Sequence, residues 1–125
     1  MKTSDLFVKC LENEGIEYIF GVPGEENADF LMSLHESKKI KFILTRHEQG
    51  AAFMAESYGK LTGKLSCCLS TLGPGATNLL TGVADANMDH SPVLVITGQG
   101  SSDRLHKESH QIMDVCHMFK SVTKW

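Results

Sequence analysis

The chain has 125 residues, 42% apolar and 22% charged, with a net charge of −3. That length suits one domain with its own core and is short for two. The charge balance excludes a basic surface for nucleic acid or an anionic membrane, and no apolar run approaches the roughly 18–20 residues of a transmembrane helix.

Thr3 is placed to cap a helix over residues 4–14, where Leu6, Phe7, Cys10 and Leu11 recur at helical spacing. Gly15 stands where a left-handed C-cap is wanted. Tyr18 to Val22 reads as a short buried strand that Pro23-Gly24 ends in a turn. A helix is expected over 26–37, with Phe30, Leu31 and Leu34 on one face. Phe42-Ile43-Leu44 is a second strand. A long helix over 48–61 follows, small-faced through Ala51, Ala52 and Ala55, and Gly63 closes it. Leu65 to Ser70 is a third strand, and Gly73-Pro74-Gly75 turns the chain into a helix over 76–88. Val93 to Ile96 is apolar at every position, as expected of a strand covered on both faces. Residues 98–109 read as a loop, 111–119 as a short segment, and Val122 to Trp125 as the start of a strand that is cut off. The alternation of helices and strands predicts an α/β fold: a parallel sheet between two layers of helices.

Cys67 and Cys68 are neighbours in a strand, so their side chains should face opposite ways as buried, reduced thiols. His106 and His110 have the spacing of a metal pair, but no acidic or thiol cluster joins them, and no metal site is expected. The absence of a hydrophobic signal segment points to a cytoplasmic protein.

Ligands of open parallel sheets bind beyond the carboxyl ends of the strands. Three motifs fall there: Gly21-Val22-Pro23-Gly24, Arg46-His47-Glu48-Gln49, and Thr71-Leu72-Gly73-Pro74-Gly75-Ala76-Thr77-Asn78. Each alone has a plain alternative. A glutamate at a helix start suits the helix dipole, Pro74-Gly75 suits a helix entry, and Asn78 suits local capping. The Gly-Pro-Gly turn carries no following Lys-Ser/Thr, so a nucleoside triphosphate site is not expected.

Together, in this order and spacing, the motifs resemble the N-terminal domain of the thiamin-diphosphate enzymes that include acetolactate synthase, pyruvate oxidase and benzoylformate decarboxylase. The resemblance runs from Ser4-Asp5 to Thr123-Lys124. Residues 46–52, 73–79, 85–89 and 95–99 are similar to the acetolactate synthase branch in particular. It implies a flavodoxin-like pyrimidine-binding domain, C-terminally truncated, with thiamin diphosphate as cofactor. It also implies an enzyme that decarboxylates pyruvate and joins it to a second 2-oxo acid. A decarboxylase or oxidase of the same superfamily, or a non-catalytic binding module, are the alternatives.

The resemblance carries over by residue. Glu48 matches the glutamate that hydrogen-bonds N1′ of the cofactor's aminopyrimidine. A carboxyl sharing a proton with N1′ promotes the imino tautomer, which makes the cofactor's own 4′-nitrogen basic. Val22, Pro23 and Gly24 match the loop approaching the cofactor, and Thr71, Pro74 and Asn78 match positions on the aminopyrimidine side. Gln111 matches a substrate-side glutamine, and His110 beside it departs from the phenylalanine of many biosynthetic members. Glu25 departs from their glycine. The family binds Mg²⁺ and the diphosphate through a Gly-Asp-Gly motif in another domain, and no such motif occurs here. The implied partners are the diphosphate domain of another subunit in a homodimer or larger homo-oligomer, and a regulatory subunit. FAD belongs to a middle domain in some members. By itself the chain is expected to be inactive.

Overall fold

The computed structural model describes residues 1–105 and 107–125. The first helix, α1 (Thr3–Asn13), starts one residue before the sequence suggests. Lys2 and not Thr3 is its N-cap, because Asp5 reaches back to the Lys2 N–H at 2.8 Å. Its end follows the Schellman pattern. Gly15 has φ +76°, and the N–H groups of Gly15 and Ile16 bond the carbonyls of Glu12 and Leu11. Leu11 and Ile16 are both buried, so the cap also joins the core.

Strand β1 (Tyr18–Gly21) leads into a single 3-10 turn (Glu25–Asn27) and then α2 (Ala28–His35). The single helix expected over 26–37 is thus shorter and preceded by a distinct turn. Asn27 spends its side-chain oxygen on the Gly24 N–H, a local bond that competes with continuous helix. Strand β2 (Lys41–Leu44), α3 (Glu48–Thr62), β3 (Ser66–Ser70), α4 (Pro74–Met88) and β4 (Val93–Thr97) follow as the sequence suggests, with Gly63 capping α3 at φ +68°.

The sheet is parallel throughout, in the order β2-β1-β3-β4. One face carries Ile19, Cys67 and Leu69 against Val8 and Leu11 of α1 and Phe30 and Leu34 of α2. The other carries Cys68, with Phe20, Val93 and Val95, against the alanines of α3 and Leu79 and Val83 of α4. Cys67 and Cys68 do face opposite ways, both fully buried and free. No helix of the described residues is long and apolar enough to cross a membrane.

Two expectations fail on the β4 side. Each residue of β4 is only half-buried, because β4 is an edge strand and no described strand pairs with its outer side. Residues 122–125 form no strand. After a short helix, α5 (Val115–Phe119), the Val122 N–H and the Thr123 hydroxyl both return to the Phe119 carbonyl, which folds this stretch into a turn.

Candidate functional site

Strand order reverses about β1, whose neighbours are β2 on one side and β3 on the other. Such a switch point opens a crevice beyond the strand ends. The turns after β1 and β3 meet there. The Val22 N–H bonds the Leu69 carbonyl at 3.2 Å, and a Cβ on Gly24 would stand 2.4 Å from Thr71 Cβ. Only glycine allows this approach of backbone to side chain.

Glu48 enters from β2. Thr45 is buried and donates its hydroxyl to the His47 carbonyl, and His47 caps α3 by accepting the Gln49 N–H on Nδ1 at 3.1 Å. Glu48 is therefore the first residue of α3, held on a fixed backbone. Its half-buried carboxylate reaches across to α4. Oε2 accepts a hydrogen bond from Asn78 Nδ2 at 2.9 Å, while Oε1 lies 3.3 Å from where a Cβ on Gly75 would stand. No described residue donates a hydrogen bond to Oε1. Asn78 is thus not a local cap but a partner thirty residues away from Glu48.

Gly24, Thr71, Gly75, Glu48 and Asn78 form one continuous line of contacts. Val22, Pro23 and Pro74 sit on the same turns. Pro74 is the exposed first residue of α4, as a helix entry requires, and Pro23 is exposed. The loop after β4 folds back over these turns. Gly73, at φ +59°, is so close to Gln111 that a Cβ would come within 2.7 Å of it, and Gln111 itself has φ +52°. Gln99 Nε2 bonds the Met113 carbonyl at 2.9 Å and clasps this loop.

Glu26 and Asn27 also join these turns, although the three motifs read from the sequence do not include them. The Thr71 hydroxyl donates to the Glu26 carboxylate, and this bond, with the charge of His110 a smaller cause, holds the Glu26 carboxyl below its ordinary range. The signal available was Gly-x-x-Asn, a glycine followed three residues on by a side chain that can reach back to its N–H.

The His106–His110 metal pair lies outside the described residues at His106. Among the described residues, Glu56, Asp85 and Asp89 bring carboxylates together, but Lys60 bridges Glu56 and Asp89.

For an aminopyrimidine, the fit rests on Glu48. It offers one carboxylate oxygen fixed by an amide and a second that no described residue engages, beside the bare α-carbon of Gly75. That donor set suits a heteroaromatic nitrogen approaching a flat, small-residue wall.

Residues 1–118 match the family described as thiamine pyrophosphate enzyme, N-terminal TPP binding domain. The chain is 42% identical over 124 residues to a protein of Methanocaldococcus jannaschii named probable acetolactate synthase large subunit, covering 99% of this chain and 21% of that one. It is 39% identical over 123 residues to the chloroplastic acetolactate synthase of Arabidopsis thaliana, covering 98% and 18%. To the acetolactate synthase large subunit of Haemophilus influenzae it is 40% identical over 121 residues, covering 97% and 21%. The chain spans about a fifth of the length of these relatives.

Proposed function

The chain belongs to the N-terminal TPP-binding domain family of thiamine pyrophosphate enzymes, and from that premise we propose that it is the pyrimidine-binding wall of an acetolactate-synthase-like enzyme. That enzyme decarboxylates pyruvate and joins the product to a second 2-oxo acid. One observation carries the reading: the Glu48 carboxylate, pinned by Asn78 through one oxygen, lies at the switch point of the sheet with its other oxygen beside Gly75. The names of the relatives support the synthase branch.

When bound, thiamin diphosphate supplies the electron sink for the decarboxylation. Glu48 Oε1 holds a proton at N1′ of the aminopyrimidine. Asn78 fixes the orientation of the carboxylate so that this proton is shared with the ring and not with water. Val22, Pro23, Gly24, Thr71 and Pro74 would form the wall for the ring, and the glycines would let it come close. We assign Gln111 and His110 to the substrate side, and Gln111 lies against Gly73 on the loop after β4. Mg²⁺ and the diphosphate are held outside this chain, which has no Gly-Asp-Gly motif. The partner is the diphosphate domain of another subunit, within a cytoplasmic homodimer or larger homo-oligomer. A regulatory subunit and FAD accompany it if the protein follows the biosynthetic branch.

The test is product analysis of the full-length protein with pyruvate, thiamin diphosphate and Mg²⁺. Acetolactate is expected. Acetaldehyde or acetyl phosphate alone would place the protein among the decarboxylases or oxidases, and no turnover with any 2-oxo acid would favour a non-catalytic module.

A further inference from the structure

Asn27 is 5% exposed, and its Nδ2 has no hydrogen-bond partner among the described residues. Its Oδ1 accepts the Gly24 N–H at 2.9 Å. The side chain cannot turn over, because the flipped amide would set its NH₂ against the Gly24 N–H, donor against donor. Asn27 is therefore held by that one bond, and the bond in turn holds Gly24.

Gly24 is pressed on Thr71, Thr71 on Gly75, and Gly75 on Glu48 Oε1. The residue next to Asn27, Glu26, receives the Thr71 hydroxyl. Residues 26 and 27 thus fasten the two turns of the switch point, one through Thr71 and one through Gly24. A carboxylate at 27 would also accept from Gly24, but it would add charge beside Glu25, Glu26 and Asp29. A neutral amide gives the acceptor without that repulsion, at the expense of an idle buried donor.

We propose that Asn27 is a positioning residue for the cofactor wall: its Oδ1 fixes Gly24 against Thr71 and so sets the gap into which the aminopyrimidine fits. This rests on the thiamin-diphosphate reading, and it acts through Gly24, with no contact between Asn27 and the reacting atoms.

The test compares full-length wild type with Asn27→Ala and Asn27→Asp. Hydrogen exchange across residues 22–27 is read without cofactor, and the Kd for thiamin diphosphate is read with Mg²⁺. Asn27→Ala should speed exchange at Gly24 and raise the Kd by about tenfold, the scale of one lost hydrogen bond. The loss should weigh more on the Kd than on turnover at saturating cofactor, since a positioning loss of this kind falls first on binding. Asn27→Asp should restore protection at Gly24 and most of the affinity. Should the alanine variant not fold, Asn27→Gln, which displaces the amide by one methylene, reads the same loss. Unchanged exchange at Gly24 in Asn27→Ala overturns the inference. So does faster exchange with an unchanged Kd, and so does an aspartate variant that behaves like alanine. Wild type that fails to bind thiamin diphosphate sinks the functional reading and the cofactor half of the inference with it, while Gly24 exchange alone still decides whether Asn27 holds the turn.

Discussion

Glu48 is aimed by two helices at once. It is the first residue of α3, and its Oε1 faces Gly75 near the start of α4, so the backbones of both helices fix where that carboxylate sits. Glu48→Gln keeps the shape and the Asn78 contact on the amide oxygen but can no longer take and return a proton. Turnover of the full-length enzyme should fall by about 10²- to 10⁴-fold, with circular dichroism unchanged. Asn78→Ala removes only the donor that orients the carboxylate, and its cost should be nearer tenfold. Steady-state kinetics of the two variants checks the order: if Asn78→Ala is the more damaging, the roles assigned to them are wrong. The start of α3 at Glu48 was legible, since Arg-His-Glu-Gln follows an apolar run and opens a helical pattern. The Asn78 partnership was not, because it depends on how closely α3 and α4 pack. Asn27 was faint for another reason: Gly-x-x-Asn is a common pattern, and an asparagine after two glutamates reads as an ordinary polar loop residue until its buried position is known.

At the level of elements, periodicity and glycine placement were enough to locate four strands and the helices between them. They could not separate a strand covered on both sides from one at an edge. Val93 to Ile96 is apolar either way, and β-branched residues such as Val122 and Thr123 read as strand whether or not an edge is free to receive them. Close packing of α3 on α4 has a clear marker in Gly82, where a Cβ would lie 2.6 Å from Ala52 Cβ and 3.0 Å from the Phe53 nitrogen. Gly82→Ala must push the helices apart, and denaturant titration should show a loss of about 1–3 kcal/mol. Gly50→Ala is the contrast. It lies in α3 with nothing within 4 Å, so alanine there should stabilise by about 0.5–1 kcal/mol. Strand β3 carries its own pH signature. Burial pushes Cys68 up to about 12 and Cys67 well above the ordinary thiol value. Both pKa values are raised on folding, so their contribution is full below the unfolded thiol range and is lost as pH climbs through the folded values. Unfolding free energy should therefore fall above about pH 9, by up to ~1.4 kcal/mol per pH unit for each thiol, and Cys68→Ala should flatten the slope. In the native state only Cys10 and Cys116, which are exposed, should react with a thiol reagent.

For the whole molecule, the decisive feature is where the surface is apolar. On the β2 side, Tyr18, Phe20, Ile43, Phe53 and Met54 line an open groove of about 640 Å³. On the β4 side, Val93, Val95, Phe119 and Trp125 line a second of about 780 Å³. Leu44 and Leu61 add exposed apolar area at 67% and 86%. Surfaces of this kind drive association, so the 125-residue chain should sediment above monomer mass at ~100 µM, and a clean monomer would count against it. Neither groove includes Glu48, Thr71 or Asn78. On the proposed reading the chain supplies one wall of the cofactor site, and a wall buries only one side of a ring. A ligand held that way gains about half the contact of an enclosed one and still loses its translational freedom. Calorimetric titration of the chain with thiamin diphosphate and Mg²⁺ should therefore give a Kd no tighter than about 1 mM. Micromolar binding would mean that this chain grips the diphosphate with its own residues. The loop after β4, with Gln111 on Gly73, would then be the place to look, and the division of labour with a second domain would have to be abandoned.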